Sequence, residues 1–389
     1  MGKGYFMEVE KDKTEDSIEQ ERVLHMNAGD GINSYAKNSL FQKKVMLKAK
    51  PVLQQSISEL LSSKNVPDCI KIADMGCSSG PNTFVPIWEI VDAIDETCNR
   101  LKTKPPVLQV FLNDLPANDF NLIFRSLPSF YKKLEEEKGG EFGPCFVAAM
   151  PGNFYGRLFP PKSLHFVHSS YSIHWLSQVP EGIVTESGIS LNKGNIWISE
   201  TSPPAIHKAY SDQFERDFTL FLRSRSEEII SGGHMVITCM AQTNNPSCKF
   251  GSCELLRLIG DCIKAMVDEG IIKESILDSC NIPNYPPSRK EMVNLIEKED
   301  SFMIAKLEEF ELSWDTNIED GHKDLEFNQR QRGEYVATYM RAVTESILAN
   351  YFENAIIEDL FHRFSIKVAN YMDKGIGLHN NLVIFMINK

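Results

Sequence analysis

Two acids, each placed where a short apolar run ends, offer the first chemistry in this chain. Asp74 closes Cys69-Ile70-Lys71-Ile72-Ala73 and opens onto Met75-Gly76-Cys77-Ser78-Ser79-Gly80-Pro81-Asn82; Asp114 follows Val107 to Asn113. A carboxylate at the tip of a second strand is where nucleoside-binding Rossmann-like folds accept hydrogen bonds from ribose hydroxyls, because its two oxygens match a vicinal diol. Gly76 and Gly80 remove the side chains that would keep a ligand away from main chain. Their Gly-x-x-x-Gly spacing lacks the dinucleotide pattern, so a smaller polar group than pyrophosphate is expected there. Further on, Tyr171, His174 and Trp175 could wall a pocket whose aromatic faces hold a flat or apolar molecule while polar tips orient it.

These residues need elements to carry them. Cys69 to Ala73 reads as a buried parallel strand, with Pro81 in the first turn of a helix over Asn82 to Asp95. Val107 to Leu112, Cys145 to Met150 and Leu164 to His168 read as further strands, and Asp119 as the cap of the helix after the second. Loops at the carboxyl ends of successive parallel strands converge on one crevice, which would gather the Gly76 turn, Asp114, Pro151 to Pro160 and Ser169 to Gln178. Before them, apolar spacing from Leu40 to Leu61 predicts a long amphipathic helix broken or bent at Pro51. Asn381 to Ile387 reads as a buried closing strand.

Composition narrows the class. The 389 residues are 42% hydrophobic, enough for a large core, and carry 53 acids against 41 bases for a net charge of −12. Without a long basic block the chain does not suit nucleic acid or an anionic membrane, and a small-molecule partner fits better. Nine scattered cysteines with no C-x-x-C point to reduced thiols and a cytoplasmic setting rather than a disulfide framework or a zinc site. Met1 to Arg22 lacks the apolar core of a signal peptide and reads as a disordered tail, and Asp315 to Gly333 as a solvated loop.

Ser34 to Ser39, Asp74 to Asn82, Leu112 to Asn121, Pro151 to Phe159 and His168 to Gln178 together closely resemble the plant SABATH methyltransferases. Those enzymes methylate small acids or xanthine nitrogens with S-adenosyl-L-methionine. The resemblance continues through Gly232-Gly233, Asn281-Ile282-Pro283, Arg341-Ala342-Val343 and Phe361 to Phe364. It implies an α/β fold, a Rossmann-like class I methyltransferase core of mostly parallel sheet over 23–245 and 341–389. A helical cap over 246–340 would cover the active site, and the protein would be a homodimer.

The resemblance also assigns residues. Tyr35 and Ser39 would lie near the methionine end of the cofactor, Asp74, Cys77 and Asn82 in the central loop, Asp114 and Leu115 at ribose and adenine, and Asn153 and Phe154 beside the adenosine. Asn153 stands where the family usually has Ser. Gln42, Tyr171, His174 and Trp175 match substrate positions, with His174 and Trp175 aiming the acceptor. His174 replaces the Met, and Leu256 the Trp, that are common in salicylate enzymes, which implies a wider, more polar pocket. A structural Mg2+ site would fall on Asn192, Asp278, Asn281 and the carbonyl of Cys280, all hard oxygen ligands.

The expected reaction is methyl transfer to the carboxylate of a small plant metabolite, giving a methyl ester. A carboxylate is ionised at neutral pH, so attack needs no general base and positioning is the main task. The alternative is N-methylation of a xanthine, which the resemblance over His168 to Gln178 and Thr185 to Ile189 also allows.

Overall fold

The structure is a computed structural model that describes residues 24–62, 66–139, 142–185, 188–242, 254–316, 328–375 and 377–389. The expected N-terminal tail and most of the expected solvated loop lie outside the described residues.

Seven strands form one sheet in the order β3-β2-β1-β4-β5-β7-β6. Strands β1 (Cys69–Met75), β2 (Val107–Asp114), β3 (Cys145–Pro151), β4 (Leu164–Ser170) and β5 (Ile229–Ala241) run parallel. Strand β7 (Leu378–Asn388) returns antiparallel between β5 and the edge strand β6 (Phe302–Ser313). Chain order reverses at β1, which pairs with β2 on one side and β4 on the other, so the loops after β1 and β4 flank the crevice where open α/β sheets bind ligands.

Alternation along the strands makes two cores. Ile70 and Ile72 of β1, with Val383 and Phe385 of β7, face one core, while Ala73, Met75, Leu382, Ile384 and Met386 face the other. The first core is closed by α1 (Leu40–Ser62), α2 (Val85–Leu101) and α3 (Phe120–Lys138), whose apolar stripes include Val52 and Ile57, Ile87 and Ile94, and Ile123 and Phe130. The second is closed by α4 (Pro204–Glu228), α5 (Glu254–Asp268), α6 (Glu274–Ser279), α7 (Arg289–Glu299), α8 (Gln329–Leu348) and α9 (Asn354–Met372).

Several sequence expectations are corrected. Of the break or bend expected at Pro51, the break does not occur, since Pro51 lies inside a single helix. The helix expected from Asn82 is a 3-10 turn over Pro81–Phe84 followed by α2, since Pro86, a second proline, re-initiates the α-helix in its own first turn. The stretch read as helical before Asp315 contains β6, whose exposed, charge-rich edge lacks clean alternation but pairs along β7 from Phe302 to Ser313. The expected boundary at 340/341 falls within α8. Asp119 caps α3 as expected, its Oδ1 accepting from Leu122 N at 3.0 Å. No helix among the described residues is long and apolar enough to cross a membrane.

Candidate active site

Hydrogen bonds stitch neighbouring strand tips into one floor. The amides of Gly76 and Cys77 donate to the carbonyl of Asn113 at 2.9 and 2.8 Å, so the β1 loop is held on the end of β2. Asn113 Nδ2 donates in turn to the carbonyls of Met150 and Gly152 at 2.7 and 2.9 Å, fixing the β3 loop. Ser169 Oγ reaches Met75 O at 2.9 Å and Ser172 Oγ reaches Gly76 O at 3.1 Å, tying the β4 loop to β1. Gly76 is required by this contact: its φ is +76°, and a Cβ there would stand 2.1 Å from Ser172 Oγ.

Above that floor lies a cavity with about 1240 Å3 of empty space, mouth included. It brings together Tyr35, Gln42, Asp114, Leu115, Asn153, Phe154, Tyr171, His174 and Trp175, all expected from sequence. Four expected cofactor residues sit behind its wall. Asp74 Oδ1 holds His168 Nδ1 at 2.7 Å, both residues being buried, and Cys77 is a buried thiol in the turn. Asn82 Nδ2 donates to Ser39 O and Oγ at 2.6 and 2.8 Å, which pins the start of α1 to the turn after β1. Ser39 and Asn82 therefore shape the site from outside the cavity.

Asp114 is the only acid among the described residues of the wall. Its Oδ2 accepts from the Ser78 amide at 2.7 Å and its Oδ1 from the Leu115 amide at 2.8 Å. Burial nevertheless raises its pKa to about 6, the two amide bonds offsetting only part of the desolvation. Each oxygen keeps a lone pair for a further donor. Leu115 and Phe154 supply apolar faces in the same wall, and Asn153 Oδ1 accepts from the Tyr155 amide at 2.9 Å. An acid for a diol, flanked by apolar surface, fits an adenosyl group.

At the other end His174 is buried, and the Met240 amide donates to its Nδ1 at 3.4 Å, which puts the ring proton on Nε2. Burial, reinforced by His379, lowers its pKa to about 3, so it is a neutral donor and not a cation. Tyr171, held at φ +60° with its hydroxyl bonded to Asn381 Oδ1, meets the His174 ring edge-on at 5.2 Å.

Residues that sequence reasoning missed hold this segment in place. Tyr155 Oη donates to the carbonyls of Ile173 and Trp175 at 3.1 and 2.7 Å. Asp217 of α4 receives the amide and hydroxyl of Ser177 at 2.8 and 2.7 Å, and Trp175 bridges Asn284. From the same helix, Arg225 donates to Phe154 O and Gly156 O at 2.9 and 2.8 Å, while Glu228 Oε1 accepts from Leu158 N at 2.5 Å and Phe159 N at 2.9 Å. Tyr339, Met340, Val343 and Thr344 of α8 complete the wall. Tyr155 stands in the Pro151 to Phe159 motif and Val343 in Arg341-Ala342-Val343; the other α4 and α8 residues carry no local signal, because their partners are distant in sequence.

Asn192, Asp278, Cys280 and Asn281 do not line the cavity. The amide of Gly194 donates to Asp278 Oδ1 at 2.8 Å, which joins their two loops, and Ser202 Oγ donates to Asn192 Oδ1 at 2.7 Å. Asn281 Oδ1 is buried without a hydrogen-bond partner. Burial raises the Cys280 thiol pKa, so only its carbonyl is a hard ligand. Among the described residues no group of three or more His, Cys, Asp or Glu side chains could hold a metal ion. In donor chemistry alone these oxygens suit a hard cation, with Asp278 the one carboxylate to neutralise it.

The family profile described as SAM dependent carboxyl methyltransferase matches residues 21–389. A probable caffeine synthase, MTL2 of Coffea canephora, is 46% identical over 383 residues, covering 96% of this chain and 98% of its own. Monomethylxanthine methyltransferase 1 of Coffea arabica is 45% identical over 378 residues, with the same coverage. Among solved structures, loganic acid methyltransferase with SAH superposes with a TM-score of 0.79 at 35% identity, covering 94% of this chain and 98% of that one. These matches extend along nearly the whole chain, which belongs to the SABATH family of S-adenosyl-L-methionine-dependent methyltransferases.

Proposed function

We propose that this enzyme transfers a methyl group to the carboxylate of a small, largely apolar metabolite, giving a methyl ester. The observation that carries this reading is the placement of the titratable side chains among the described residues of the cavity wall. They include no Lys or Arg; His174 is held neutral with a pKa of about 3 and has His379 as its electrostatic neighbour, while Asp114, the one acid, is engaged by two amides at the other end. Such a wall suits an acceptor that arrives already nucleophilic, as an ionised carboxylate does.

When bound, S-adenosyl-L-methionine supplies an electrophilic methyl on a sulfonium. Asp114 would accept from the ribose hydroxyls, with Asn153 beside the same end, Tyr35 toward the methionine and Leu115 and Phe154 against the adenine. His174 donates its Nε2 proton to one carboxylate oxygen, and Trp175 packs the acceptor in line. Alignment within about 3 to 3.5 Å is worth several powers of ten in rate. Exclusion of water by α5 and α8 helps further, because charge is lost as the methyl moves.

A second reading, N-methylation of a xanthine, is favoured by what the Coffea relatives are named for and by the buried, unpartnered Oε1 of Gln42, an acceptor suited to a ring N–H. Incubation with methyl-labelled cofactor and panels of carboxylic acids and xanthines separates the two. A base-labile labelled product is expected. A base-stable product from xanthines alone would replace the first reading with the second.

A further inference from the structure

The segment from Leu24 to Ser34 precedes a one-turn helix, Tyr35–Asn38, and supplies Leu24 and Met26 to the cavity wall. It forms no helix or strand of its own, so its place is set by what it bonds. At the nucleoside end the Gly29 amide donates to Asp119 Oδ2 at 3.1 Å, and His25 acts electrostatically on Asp114. On its other side this strap is tied to α8.

Asn27 makes that tie with every donor it has. Its amide donates to Ala342 O at 3.0 Å, and its Nδ2 donates to Asn33 O at 3.0 Å and to Glu345 Oε2 at 2.5 Å. Its carbonyl in turn accepts from the Tyr35 amide at 2.9 Å. Glu345 is itself fixed, because Arg341 Nη2 and Nε reach its two oxygens at 2.8 and 3.1 Å, while Arg341 Nη1 reaches Glu358 Oε2 of α9 at 2.8 Å. A forked pair of this kind holds a carboxylate in one orientation. Neither Arg341 nor Glu345 lines the cavity, although Val343 and Thr344 between them do. The Arg341-Ala342-Val343 motif thus meets the strap twice: Ala342 takes it by a carbonyl, and Arg341 aims the acid that takes the Asn27 side chain.

We propose that Glu345 is a positioning residue for the cofactor: clamped by Arg341, it holds Asn27, and Asn27 sets the place of Tyr35 and of the strap beside Asp114. The inference rests on the cofactor placement proposed above, with Tyr35 toward the methionine and Asp114 at the ribose. A segment without regular structure has to lose conformational freedom before it can bear on a ligand, and bonds already made in the free enzyme remove that loss from the binding step. The bond to a carboxylate is the strongest of those Asn27 makes, since its acceptor is ionised.

The test is calorimetric titration of S-adenosylhomocysteine into the full-length enzyme and its variants, with no acceptor present. Asn27→Ala and Glu345→Ala should each weaken binding by about tenfold, the worth of one bond to a charged group. The double variant should bind within about twofold of the weaker single variant, because both residues act through one contact. With an acceptor that the enzyme turns over, KM for S-adenosyl-L-methionine should rise in each single variant while kcat and the acceptor KM stay within about twofold. Losses that multiply in the double variant overturn the proposal, as does a fall in kcat with both KM values unchanged, the pattern of a partly unfolded enzyme. Unaltered affinity in Asn27→Ala also overturns it, and that result can be read even if Glu345→Ala does not fold. Asp114→Asn, measured alongside, reports on the cofactor placement: if it binds as tightly as the wild type, the placement fails and the proposal with it. Weaker binding there with none in Asn27→Ala overturns only the role given to Glu345.

Discussion

Asp114 shows how one buried carboxyl can couple ligand binding to pH. Its pKa is about 6 in the folded chain, against about 3.9 for a free aspartate. Between those values the folded state holds a proton the unfolded state has lost. The stability from this residue is therefore greatest below pH 4 and is lost as pH rises through 6. With Asp114 bonded to ribose hydroxyls as proposed, cofactor affinity should have the opposite sign, because the ionised carboxylate is the stronger acceptor. Calorimetric titration with S-adenosylhomocysteine should show affinity falling below pH 6, by up to about tenfold per unit. Asp114→Asn should bind about ten- to a hundredfold more weakly, with a flat profile over the same range. His174, already neutral at every working pH, should add no such slope to acceptor binding. His174→Ala or Trp175→Ala should raise the acceptor KM or lower kcat about ten- to a hundredfold. Cofactor affinity should stay nearly unchanged, and its loss would contradict the positions given to these two side chains.

At the scale of elements, α4 acts as a splint across two catalytic loops. Arg225 and Glu228, one helical turn apart and fully buried, pair through Nε and Oε2 at 2.8 Å while each also bonds main chain between Phe154 and Phe159. Desolvation makes such a pair a poor source of net stability, but removing one partner leaves an uncompensated charge. Arg225→Met should accordingly cost about 3 to 5 kcal/mol in denaturant unfolding. Combining it with Glu228→Leu should recover part of that loss of stability while cofactor affinity stays low, since the β3 loop has lost its anchors. Recovery of both together would mean that the pair is structural only. Three turns before Glu228, Asp217 does for Ser177 and the loop after β4 what Glu228 does for the β3 loop.

For the whole molecule, the cavity is closed by segments from opposite ends of the chain. Asn27 N donates to Ala342 O at 3.0 Å and Ser346 Oγ donates to His25 O, so the residues before α1 are laid against α8, with Leu24 and Met26 in the wall. Binding energy in the cavity is thus shared between the first described segment and the last third of the fold. The loops of Asn192 and Asn281 lie outside this arrangement. If they hold magnesium, they should do so structurally: at ten times its dissociation constant the ion should add about 1.4 kcal/mol of stability, seen as a higher melting temperature. Asn281→Ala should abolish that shift and leave kcat unchanged. Loss of turnover on chelation would show that the ion takes part in catalysis.

What could be read from residues alone was local. Short apolar runs ending in Asp74 and Asp114, a glycine turn, and the aromatic segment after His168 specify strands with loops at their carboxyl ends, and those loops share one cavity because parallel strands present the same end to the same side. What required the tertiary structure was everything that acts across sequence distance. Nothing near Asp74 shows that its carboxylate is taken by His168, 94 residues away, and nothing near Arg225 shows that it clamps a loop 69 residues earlier. Strand β6 was missed because an edge strand with one exposed face is specified by its partner β7 rather than by its own alternation. The neutrality of His174 follows from burial beside Met240 and His379, a property of the packed environment that no local pattern encodes.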